Sequence, residues 1–164
     1  MISRDRRKVK RGVVQIPMIG GTIAFGYNKP GCDLKLTQEQ AVKVAMSVIK
    51  DWSELGCASG PITWVHRSDG SGTTKAFTNS MAAFSSAWTL GTGKAVSWPS
   101  GVGAKGNAGV AAVIKKREGA IGYLNQSYIR SSIKAAALQN LAGGFVKPSV
   151  EAGAIALNLS LIHI

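Results

Sequence analysis

The sequence predicts an α/β domain with a largely parallel sheet flanked by helices. Short apolar and β-branched runs alternate along the chain with longer stretches whose apolar residues recur at helical spacing, the pattern of strands joined by crossover helices. The chain has 164 residues, 45% of them hydrophobic and 17% charged, enough for one ordinary domain and too apolar for a disordered chain. No repeat and no low-complexity linker divides it. Its apolar runs are far shorter than the ~20 residues of a membrane span.

The elements follow in order. Val13–Met18 and Thr22–Tyr27 read as strands broken by Gly20-Gly21. Thr37-Gln38-Glu39-Gln40 is a capping box. Behind it Ala41, Val44, Ala45, Val48, Ile49 and Trp52 share one helical face, so the spacing predicts a helix through Trp52 that packs on a core. Gly56 and Gly60 close that element. Pro61 introduces a strand, Ile62–Val65, which runs into the loop Arg67–Thr74. Phe77, Met81, Phe84 and Trp88 mark a second amphipathic helix, and a glycine-rich loop follows it. Val110, Val113 and Ile114 mark a third helix, Ala120–Leu124 a further strand, and Pro148-Ser149 opens a last helix through Asn158. The apolar end Leu159-Ser160-Leu161-Ile162-His163-Ile164 carries no helix stop signal; we expect it to be a non-native tail outside the fold.

Charge adds a second constraint. The chain carries 20 Lys+Arg against 8 Asp+Glu, a net +12, which points to an anionic partner. Arg4, Arg6, Arg7, Lys8, Lys10 and Arg11 against Asp5 make residues 1–12 a basic segment, and Lys115-Lys116-Arg117 is a second run. Solvated surface charge explains such runs most simply, and a nucleic-acid-associated domain is the alternative. Neither run has interleaved aromatics on which bases would stack, so no nucleic-acid partner is expected. The basic start is not followed by the apolar stretch and cleavage site of a secretory leader. With two cysteines and two histidines, a disulfide-dense scaffold and a Cys/His zinc cage of the usual spacing are both excluded. No metal or cofactor is expected.

The segment Arg67-Ser-Asp-Gly-Ser-Gly-Thr-Thr74 is the one that carries chemistry. It passes from a strand through a glycine-rich loop into a helix, whose first N–H groups lack partners and lie at the positive end of the dipole. An anion placed there satisfies several donors at once. Gly70 and Gly72 let backbone approach a ligand, Ser71, Thr73 and Thr74 add hydroxyls, and Arg67 adds a planar, always-charged donor. Asp69 stands out beside an anion. It orients Arg67 by an ion pair, or accepts a proton from a ligand that still carries one, as hydrogen phosphate does and sulfate does not. The competing reading is that Asp69 and Ser71 only cap the next helix.

Other motifs fall away. No Gly-Lys-Ser/Thr makes this loop a P-loop. Gly101-Val-Gly-Ala-Lys-Gly106 fits a dinucleotide fingerprint by letter, but Trp98-Pro99-Ser100 precedes it instead of a strand. Ser71 is not in a nucleophile elbow, and His66 has no relay partner. No nucleophile, base and oxyanion hole assemble, so the sequence makes no case for an enzyme.

Arg67–Thr74, then Trp98-Pro99, Gly103-Ala-Lys-Gly-Asn107 and Gly119-Ala-Ile-Gly-Tyr123 together resemble the PstS-type phosphate-binding proteins, the solute receptors of a bacterial phosphate ABC importer. The resemblance covers about residues 10 to 158 and in wording is similar to cyanobacterial and marine-phage members. It implies a two-lobed periplasmic binding-protein fold that closes on inorganic phosphate, transmembrane permease subunits as partners, and a monomer. It implies that Arg67 contacts a phosphate oxygen, that Asp69 pairs with Arg67, and that Ser71, Gly72 and Thr73 donate at the helix N-terminus. Family members begin with a signal peptide and about half of a first lobe, including a phosphate-contacting serine, threonine and aspartate. The expectation is therefore that residues 13–158 are the second lobe with its hinge strand, and that residues 1–12 are the remnant of a truncated first lobe. In a periplasmic setting Cys32 and Cys57, 25 residues apart, are expected to form a disulfide.

Overall fold

The computed structural model describes residues 21–149 and 151–154. The basic segment, the expected strand Val13–Met18 and the expected tail lie outside those residues.

Five strands form the main sheet, in the order β4-β3-β5-β1-β6: β1 (Ile23–Asn28), β3 (Thr63–Arg67), β4 (Val102–Ala104), β5 (Ala120–Asn125) and β6 (Lys134–Ala135). A smaller sheet joins β2 (Lys35–Leu36), β7 (Ala137–Gln139) and β8 (Phe145–Val146). β3 pairs in parallel with β4 and β5, while β1 pairs antiparallel with β5 and β6. Hence β1 alone runs against the other four, and the largely parallel sheet is a mixed one.

Two crossover helices, α2 (Gly72–Phe84) and α3 (Gly106–Lys116), link β3 to β4 and β4 to β5. The period-two alternation of the strands puts the core on both faces. Trp64, Ile121 and Tyr123 join one buried cluster with Phe77 and Met81 of α2, whereas Val65, Ala120 and Leu124 join a second with Val110 and Ile114 of α3. A Cβ at Gly122 would collide with the Val65 carbonyl; glycine is needed there for β5 to lie close against β3.

The first helix, α1 (Gln38–Ala45), ends seven residues before Trp52, where the apolar spacing extends it. Ser47 adopts a left-handed φ of 57°. The Ser47 amide donates to the Val44 carbonyl at 3.0 Å and the Val48 amide to Lys43 at 2.8 Å, which is a Schellman motif with serine in the usual glycine position. Val48 is consequently 59% exposed and not on a core face, while Ile49 and Trp52 reach the core by another route. Trp52 opens a separate 3-10 helix, Trp52–Leu55, capped by Asp51. Two β-branched residues followed by a strong N-cap favour a stop and restart over one continuous helix. Trp88 likewise lies beyond α2, yet it is buried and packs edge-on against Trp98 at 6.1 Å. Residues 151–154 are helical, and Ser149 caps them through the Ala152 amide at 3.0 Å. Cys32 and Cys57 are joined as a disulfide with Cα atoms 5.4 Å apart, tying the loop after β1 to the turn after the 3-10 helix.

Candidate functional site

Arg67 is the last residue of β3 and Gly72 the first of α2, so the loop sits at the carboxyl end of the parallel strands, where ligands of open α/β sheets bind. Ser71 is the N-cap: its hydroxyl accepts from the Thr73 amide at 3.0 Å and the Thr74 amide at 3.3 Å. Its own amide donates to the Lys94 carbonyl at 2.8 Å, which pins the loop to the glycine-rich segment. The Gly72 amide has no hydrogen-bond partner among the described residues, and Gly72 and Thr73 are half-buried.

Arg67 and Asp69 form a two-pronged pair. Arg67 Nε donates to Oδ1 at 2.7 Å and an Nη to Oδ2 at 2.5 Å, with the arginine side chain 10% exposed. Oδ1 also accepts from the Gly106 amide at 3.0 Å. One carboxylate therefore orients the guanidinium and tethers the first residue of α3 to the loop, while capping of α2 falls to Ser71 alone. The Arg67 guanidinium first, and the Gly106 amide second, hold the Asp69 carboxyl far below its ordinary value of 3.8; the same pairing raises Arg67. Asp69 is thus ionised and turned towards Arg67, and the remaining guanidinium N–H groups have no hydrogen-bond partner among the described residues.

All five expected residues, Arg67, Asp69, Ser71, Gly72 and Thr73, meet at this one corner. Residue patterns alone did not single out Gly106 or Tyr123 for this corner, and Thr74, expected to add a hydroxyl at the loop, turns that hydroxyl to Tyr123. The Tyr123 hydroxyl accepts from the Arg67 amide at 3.2 Å and shares a 2.7 Å hydrogen bond with Thr74 Oγ1. Gly106 closes the dinucleotide-like motif, and the strand that motif requires lies inside it as β4. His66 serves the frame: its Nδ1 lies 3.1 Å from the Arg67 carbonyl and its ring stacks on Trp98 at 5.3 Å. A separate cavity of about 640 Å³, lined by apolar residues such as Phe25, Met81 and Leu138, includes none of Arg67–Thr74.

A family model described as a PBP superfamily domain matches residues 2–162. The chain belongs to the PBP superfamily. It is 41% identical over 155 residues to the phosphate-binding protein PstS of Pasteurella multocida, covering 85% of this chain and 45% of that protein. The PstS protein of Haemophilus influenzae is 38% identical over 155 residues, again 85% of this chain and 46% of the relative. This PBP-superfamily chain thus spans about half the length of the curated relatives it matches. Among solved structures, a periplasmic phosphate-binding protein (PfluDING) bound with phosphate superimposes with a TM-score of 0.75 over 86% of this chain and 44% of that one, at 24% identity; the likeness is one of fold. A phosphate ABC transporter substrate-binding protein from Clostridium perfringens with bound phosphate, described as putative, reaches a TM-score of 0.58 at 29% identity over 72% of this chain and 45% of that one.

Proposed function

We propose that the Arg67–Thr73 corner binds inorganic phosphate, and that the chain acts as part of the substrate-binding component of a phosphate ABC importer. The observation that carries this reading is the Arg67–Asp69–Gly106 linkage beside the Gly72 amide, which has no partner among the described residues. It combines a charged, pre-oriented fork with a helix N-terminus, the two features a tetrahedral oxyanion needs. The PstS relatives supply the choice of anion.

Arg67 contacts one phosphate oxygen, while the Gly72 amide and the Ser71 and Thr73 hydroxyls donate to others. Asp69 fixes the guanidinium plane so that little ordering remains when the anion arrives. The whole receptor works on the periplasmic side and delivers phosphate to transmembrane permease subunits. It binds and releases its ligand without turnover. These donors approach the anion from one side, and contacts open to water are weakened and salt-screened. Binding to this chain is therefore expected to be weaker than ~10 μM and to fall with salt.

Equilibrium dialysis with radiolabelled phosphate at low and moderate salt tests the reading. Saturable binding that weakens with salt supports it. The basic surface motivates a rival, a nucleic-acid-associated domain; duplex DNA retained on filters with steep salt dependence and no response to phosphate would replace the phosphate reading with that one.

A further inference from the structure

We propose that Tyr123 is a positioning residue of this site: its phenol oxygen sets the spacing between Arg67 and the first turn of α2. The inference rests on the phosphate reading and adds to it a residue of β5, 56 positions from Arg67.

Tyr123 is fully buried, and its ring stacks on Phe77 of α2 at 4.3 Å with an interplanar angle of 14°. The pairing of β3 with β5 ends at Val65 opposite Gly122. Beyond it the Arg67 amide has lost its strand partner on that side, and the Tyr123 hydroxyl takes the partner's place. A buried amide left without an acceptor is costly, so this contact is part of how the Arg67 backbone is held. On its other side the hydroxyl meets Thr74 Oγ1, and the Thr74 amide is in turn held by Ser71. Burial pushes the Tyr123 phenol up from its ordinary value, so it keeps the proton that this geometry uses. One oxygen thereby joins the strand end that carries the guanidinium to the helix start that carries the amides. The close approach of Gly122 to Val65 fixes the tyrosine's height against β3. A phenylalanine would fill the same space without making the joint.

Tyr123→Phe keeps the ring and removes the oxygen; Thr74→Val removes the other end of the joint, and Thr74→Ser retains it. Titrations with inorganic phosphate at low salt, beside thermal melts of each variant, read the effect. Phosphate binding is expected to weaken about threefold to tenfold in Tyr123→Phe and Thr74→Val, the worth of one hydrogen bond. Thr74→Ser restores it. In an Arg67→Ala background Tyr123→Phe should add little, because the tyrosine acts through Arg67. Amide exchange at Arg67, which needs no phosphate, should quicken in Tyr123→Phe more than at its neighbours. Unchanged Arg67 exchange overturns the inference. So does wild-type affinity in Tyr123→Phe and Thr74→Val while Arg67→Ala loses binding, or full additivity of the two changes. Should Tyr123→Phe fail to fold, the Thr74 pair carries the test. Full affinity in Arg67→Ala refutes instead the phosphate reading beneath it.

Discussion

The starts of α1 and α2 obey the same physics and end in different states. At α1, Thr37 accepts from the Gln40 amide and Gln40 answers to the Thr37 amide, and Glu39 places a carboxylate in the first turn. That N-terminus is closed by its own side chains. At α2, Ser71 caps in one direction only, no acid lies in the first turn, and the residue where a reciprocal glutamine would stand is Thr74, whose hydroxyl turns away to Tyr123. The first residue, Gly72, has no side chain to cover its amide. A helix start with a full capping box and its own negative charge builds the core. One that lacks the return bond and the charge leaves its positive end open, as the proposed anion site requires.

The region around α1 should therefore respond to change through stability and the region around α2 through binding. The largest effect expected on the closed side is loss of the Cys32–Cys57 disulfide, which encloses β2 and α1. Closing a loop of 25 residues contributes about 3 kcal/mol by chain entropy. Urea unfolding of the Cys32→Ser, Cys57→Ser double variant should show that loss with phosphate affinity little changed. A large fall in affinity would blur the division between the two regions.

A matched pair of caps sharpens it further. Thr37→Ala and Ser71→Ala should each cost about 1 kcal/mol in urea unfolding, but only Ser71→Ala should also weaken phosphate binding. If both variants bind alike, the two helix starts are not functionally different.

The smallest effect is on pH. Backbone and side-chain hydrogen bonds from Ser53 bring Asp51 down to about 2, and Asp69 is depressed further by Arg67. Both carboxyls have folded values below the ordinary 3.8, so their contribution is complete above that pH and is lost as pH falls through the folded values. Melting temperature should drop between about pH 4 and pH 2, and the drop should be shallower in Asp51→Asn and in Asp69→Asn. A wild-type slope in both variants would remove these two groups from the acid response.

The corner at Arg67–Thr73 was legible because its contacts are local: strand end, loop and helix start lie within eight residues. The end of α1 was not, since the apolar spacing runs on unbroken through Ser47 and nothing in a serine announces a left-handed turn. The reversed direction of β1 was hidden for another reason. Pairing direction depends on how distant strands meet, and β1 meets β5 nearly a hundred residues later. Gly106 and Tyr123 were missed on the same ground. Their partners, Asp69 and Arg67, are 37 and 56 residues away, and only the crossovers through α2 and α3 bring them together.

Isothermal titration of inorganic phosphate into the chain and its Arg67→Ala variant, at low ionic strength, tests the central claim most directly. On the phosphate reading the guanidinium contact is charge-assisted, so its removal should cost about 1.5–3 kcal/mol, roughly a tenfold to hundredfold loss of affinity. Both proteins should give the same melting behaviour above pH 5 to within the loss of the Asp69 pair. Equal phosphate affinity in the two proteins would contradict the account, because the anion would then be held somewhere other than the Arg67 corner.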